Sequence, residues 1–172
     1  MMRRLLSLSA FGSLLASGAI FGFFYAWVCS TMWGLDAADP KVAIAAMQAM
    51  NASVRNAVFF PAFFLTPVIM LVTALMAFVL DRRRSSLFLA AGAAVYVLGA
   101  FLPTATINVP MNETLGAMPV PQDGQEAAAL WQAYSARWQS WNVLRTVASG
   151  ATLLLTGLAM LHLKGSTRPA SA

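Results

Sequence analysis

Residues 5–28 read LLSLSAFGSLLASGAIFGFFYAWV, an unbroken run of 24 positions without one charged side chain. Wound as an α-helix, a run of that length rises ~36 Å, enough to cross a hydrocarbon core of ~30 Å with some tilt. Arg3 and Arg4 precede it and Ala16-Ser17-Gly18-Ala19 supplies small residues, the ingredients of a secretory leader. Apolar character nevertheless continues through Ile20-Phe21-Gly22-Phe23-Phe24-Tyr25-Ala26-Trp27, past the ~7–15 residues of a leader core, so the segment is expected to remain as a membrane helix.

Three more runs follow, at 56–80, 86–107 and 143–163, each near the ~20 residues a spanning helix needs. Composition agrees: of 172 residues 59% are apolar and 10% charged, against roughly 25% charged in soluble domains. The reading is an all-α, integral membrane four-helix up-down bundle, a single domain over residues 1–172 with a disordered tail at 165–172. Proline at positions 61, 67 and 103 falls inside or near the end of a span and predicts kinks. The Gly18-x-x-x-Gly22 spacing, with Ala90, Gly92, Ala94 and Gly99 in the third span, predicts close helix contacts within the bundle.

If the spans alternate, Arg3, Arg4, Arg82, Arg83, Arg84, Lys164 and Arg168 fall on one side, and Asp36, Asp39, Glu113, Asp123 and Glu126 on the other. The positive-inside bias then puts both termini in the cytoplasm of a multi-pass cell-membrane protein. The net charge of +5 is scattered at helix ends, so nucleic acid is excluded as a partner and the lipid bilayer is the expected one. A lone Cys29 precludes an intramolecular disulfide. With His162 at the opposite end of the bundle, no zinc or bis-histidine haem site can be assembled, and no cofactor or metal is expected.

Polar chemistry gathers at the far-side ends of the spans. Pro40 opens a stretch of helix-forming composition in which Gln48, Asn51 and Arg55 share an arc of about 60°. Along 130–163, read as one long helix, Trp131, Tyr134, Trp138, Trp141, Asn142 and Arg145 fall within about 100°, and Ser149, Thr152 and Thr156 continue that face into the membrane. Lipid offers such side chains no hydrogen-bond partners, so the stripe is expected to turn inward. An interfacial aromatic belt with Arg145 snorkelling to headgroups is the bland alternative. Asn108-Val109-Pro110-Met111-Asn112-Glu113, after the third span, either binds the backbone of a chain break or pairs with Arg55, Arg137 or Arg145.

At these same positions the sequence resembles the anthrone-oxygenase-like family of small four-helix membrane proteins. The resemblance rests on Gln48-Ala49-Met50-Asn51, on Asn108-Val109-Pro110-Met111-Asn112, and above all on Trp131-x-x-Tyr134-x-x-x-Trp138-x-x-Trp141-Asn142-x-x-Arg145. It implies oxidation of phenolic anthrones by molecular oxygen without a bound cofactor. Under that reading Glu113, Tyr134 and Arg145 are the candidate catalytic residues. Gln48, Asn51, Arg55, Asn108, Asn112, Trp138, Trp141 and Asn142 are the candidate substrate-binding residues, the substrate being a small aromatic molecule. The alternative is a non-enzymatic membrane protein that binds a small aromatic or amphipathic molecule, or a structural subunit. A homo-oligomer is compatible with either.

Overall fold

The computed structural model describes residues 1–164, and helix is their only regular secondary structure. The tail expected to be disordered, 165–172, lies outside the described residues. Four helical stretches are long and apolar enough to cross a membrane: Met2–Asp36, Phe59–Val79, Arg83–Ala117 and Gly124–Leu163. The chain is a multi-pass, all-α membrane bundle. Helix α1 (Met2–Ala26) packs on α4 (Phe59–Val79) and α7 (Gly124–Lys164), while α5 (Arg83–Tyr96) packs on the same two from the opposite side.

Three of the four spans run further than hydropathy alone marks. The first continues past Val28 through a π-helical turn, Trp27–Thr31, into α2 (Met32–Asp36). The third passes through two π turns, Val97–Phe101 and Thr104–Asn108, into α6 (Val109–Ala117). No break follows Asn108, which removes the chain-break role open to the 108–113 segment. The fourth is one helix of 41 residues, ~60 Å long and about twice the hydrocarbon thickness. Its first half therefore stands beyond the bilayer, where α3 (Pro40–Ser53) and α6 pack against it. Pro40 starts α3 as expected, and the Asp39 carboxylate accepts from Lys41 N at 2.8 Å to cap it.

Between α4 and α5 the turn is tight. Asp81 adopts a left-handed φ of 57°, Arg82 N donates to Ala77 O and Asp81 N to Phe78 O. That pair of bonds closes the end of α4 as a Schellman motif.

The inward face of α4 carries Phe63, Thr66, Met70, Thr73 and Ala77, at helical spacing; Leu65, Val68, Leu71, Val72 and Leu75 are exposed on the outside. An apolar outer face suits lipid tails, and small inner residues let helices approach where lipid supplies no hydrophobic drive between them. Gly99 shows this best: a Cβ there would lie 2.5 Å from Ala148 Cβ. Gly18 and Gly92 also face neighbouring helices, whereas Gly22 faces open space and Ala94 is exposed, so only part of the expected small-residue surface is used.

Pro67 lies within α4 without breaking it. Lacking an N–H, it cannot donate to Phe63 O one turn earlier. The buried Tyr96 hydroxyl of α5 takes that place, donating to Phe63 O at 2.8 Å. Pro61 sits in the first turn of α4, where no helical bond is lost, and Pro103 joins the two π turns of the third span.

Candidate functional site

One face of α7 carries the site. Trp131, Tyr134, Trp138, Asn142, Arg145, Ser149, Thr152 and Thr156 are all buried, as the periodicity predicts. Trp141 is half-buried and, among the described residues, takes part in none of the ring contacts or hydrogen bonds of this face. An interfacial belt would have left Arg145 reaching for headgroups; its exposure is only 4%.

Arg145 lies between two aromatic faces, its guanidinium carbon 4.7 Å from the Phe24 centroid and 5.0 Å from that of Trp138. Its hydrogen-bond acceptors are neutral: Asn142 Oδ1 at 2.9 Å from Nη2 and Thr104 Oγ1 at 3.3 Å from Nη1. Among the described residues no carboxylate pairs with it, and its Nε is buried without a partner. Asn142 in turn donates to Phe24 O at 3.2 Å, where α1 changes to π register. Thr104 and Asn108 open and close the second π turn of the third span. Asn108 is fully buried, and neither its Oδ1 nor its Nδ2 has a partner among the described residues. A buried cation balanced only by neutral dipoles and π faces favours an added negative charge.

Further out, a cleft of about 420 Å³ between α3 and α6 is lined by Gln48, Asn51, Arg55, Asn112 and Glu113. The structure thus brings together five residues drawn from two separate sequence segments. Arg55 Nη2 and Glu113 Oε1 form an ion pair at 3.0 Å with both side chains about half exposed, so the Glu113 carboxylate is solvated and matched. Gln48 has a holding duty as well, its Nε2 donating to Leu115 O and Met118 O at the end of α6.

Asn112 joins this cleft to the arginine. Its Oδ1 accepts from Tyr134 Oη at 2.8 Å and from Trp138 Nε1 at 3.0 Å. Tyr134 Oη also accepts from Asn51 Nδ2 at 3.4 Å. Cleft amides, phenol, indole and guanidinium therefore form one connected path, with Trp138 bonded to Asn112 by its edge and facing Arg145 with its ring.

Sequence reasoning missed several members of this arrangement. Phe24 and Trp27 sit in an apolar run where nothing separates an inward aromatic from a lipid-facing one, yet Phe24 covers Arg145 and Trp27 packs on Trp138 at 5.1 Å between centroids. Asp36 does more than add to the charge of its side. Its Oδ1 accepts from Trp131 Nε1 at 3.0 Å and Ser135 Oγ at 2.7 Å, and its Oδ2 from Gln139 Nε2 at 2.8 Å, pinning the end of the first span to α7. A Trp-x-x-x-Ser-x-x-x-Gln line of donors on one face was the available signal.

The family model described as anthrone oxygenase matches residues 50–155, well over half of the chain and containing Asn51, Asn112, Tyr134, Trp138 and Arg145. No curated protein and no solved structure matches the sequence. The chain belongs to the anthrone oxygenase family.

Proposed function

We propose that this protein is a cofactor-independent membrane oxygenase that converts anthrone-like phenolic substrates to quinones with molecular oxygen. The observation that carries the reading is the buried, carboxylate-free Arg145 guanidinium held between Phe24 and Trp138. An anthrone must lose a ring C–H proton before oxygen can take its electrons, and the anion so formed places charge on oxygen. A preorganised cation in a water-poor site stabilises that charge strongly.

The reaction balances with oxygen as the only oxidant. Glu113 takes the proton from the methylene carbon, and Arg145 with the Asn108 amide binds the resulting oxyanion. The carbanion form then passes electrons to oxygen, a C–O bond forms, and a proton completes a hydroperoxide. Loss of the second C–H proton with cleavage of the O–O bond leaves C=O and releases water. Tyr134, held between Asn51 and Asn112, gives its one hydroxyl proton to Asn112 and so orients that amide and Trp138 at the cleft. Oxygen itself is apolar and needs no polar site.

The charge pattern supports a cell-membrane orientation with both termini cytoplasmic: Arg3, Arg4 and Arg82–84 cluster at one end of the bundle, Asp36, Asp39, Glu113, Asp123 and Glu126 at the other. Oxygen uptake by purified protein with a simple anthrone tests the function. Uptake above background that is lost in Arg145→Ala supports it. Saturable anthrone binding without uptake would replace it with a binding protein.

A further inference from the structure

Between α1 and α4 lies a second cavity, of about 400 Å³, whose floor is apolar and aromatic: Ile20, Phe23, Trp27, Phe59 and Ala62. Its volume falls in the range of roughly 300–1,000 Å³ typical of small-molecule sites. Ala19, on the α1 wall, stands well inside the first span, so the cavity reaches into the bilayer from the side. Ser53, which ends α3, and Asn56, in the turn that follows, stand at its upper rim beside Met50, Val54 and Val58. Asn56 Oδ1 accepts from Val58 N and Phe59 N and so fixes the rim to the start of α4.

The floor is continuous with the site described above. Phe59 and Phe23 are 4.8 Å apart between centroids, Phe23 and Trp27 6.4 Å, and Trp27 and Trp138 5.1 Å. Trp138 then faces Arg145 at 5.0 Å. Two side chains, Phe23 and Trp27, thus separate the cavity from the wall of the arginine site. A flat aromatic occupant is favoured over an acyl chain because successive ring faces and edges line the route.

We propose that this groove is a lateral entry site through which a planar, lipid-dissolved aromatic substrate leaves the bilayer for Arg145, with Phe23 and Trp27 as the gate. The inference rests on the proposed function for the identity of the substrate, and on the groove geometry for the route.

The test has two arms. In phosphatidylcholine vesicles, Ala19→Trp and, from the opposite wall, Ala62→Trp should raise KM for a lipid-dissolved anthrone by about tenfold relative to KM for a water-soluble sulfonated anthrone. Independently, an azido-anthracene dissolved in the same vesicles should on illumination label Phe23, Phe59 or Ala62 in the wild type and lose that labelling in both variants. Groove labelling supports the entry site even if no anthrone is turned over, in which case the oxygenase reading alone falls. Turnover with unchanged relative KM and labelling spread evenly over the lipid-facing helices overturns the entry site while leaving the oxygenase reading in place. Groove labelling displaced by a fatty acid but not by an anthrone overturns it in favour of an acyl-chain site.

Discussion

The indole of Trp138 covers the guanidinium of Arg145 at 5.0 Å while its N–H donates to Asn112 at 3.0 Å. One side chain therefore fixes the cation on its ring face and the polar cleft on its edge. A desolvated cation–π contact is worth about 2 kcal/mol, so Trp138→Leu is expected to lower kcat/KM for anthrone oxidation by at least about tenfold. Trp138→Phe keeps a ring face and loses the donor, and oxygen-uptake kinetics should place it between wild type and Trp138→Leu.

Glu113 gives a separation of roles. Its ion pair with Arg55 is half exposed, and pairs of that kind contribute about 0–1 kcal/mol. Glu113→Gln should leave thermal unfolding in detergent nearly unchanged while lowering kcat by about a hundredfold, the usual scale for loss of a general base. An unchanged kcat would remove Glu113 from the chemistry.

The Tyr96 hydroxyl stands in for the N–H that Pro67 lacks. Tyr96→Phe leaves Phe63 O buried without its donor and is expected to cost about 1–3 kcal/mol. In the Pro67→Ala background the backbone can supply the donor, so the same substitution should cost measurably less. A double-mutant cycle of unfolding in mixed micelles reads the coupling; strict additivity would contradict the assignment.

Gly99 and Ala148 mark a close approach of α7 to the third span. Gly99→Ala drives two Cβ atoms together and should destabilise the bundle by about 1–3 kcal/mol. Adding Ala148→Gly should recover part of that loss in the same unfolding assay.

Spans, the helical start at Pro40 and the inward stripe of α7 are legible in sequence because each depends on local periodicity: apolar length for the spans, 3.6-residue spacing for the stripe. Asp36, Phe24 and Trp27 are not, since their roles come from partners roughly a hundred residues away. The π turns are also invisible to hydropathy. They extend the first and third helices beyond their apolar runs and bring Thr104 to Arg145. Among the candidate residues, Gln48, Asn51, Arg55, Asn112 and Glu113 belong to two segments and meet in one cleft. Trp141 lies at the margin of the 100° arc and stands aside from the buried line.

In the proposed reaction Arg145, a buried cation with no carboxylate partner among the described residues, holds the anionic substrate. Absorbance titration of a hydroxylated anthrone bound anaerobically to the protein measures this directly. A fixed positive charge within ~4–6 Å of the ionising oxygen should lower the bound ligand's pKa by about one to three units relative to the free compound. Arg145→Met should abolish the shift. A bound ligand that ionises at the same pH in wild type, in Arg145→Met and in free solution would contradict the account.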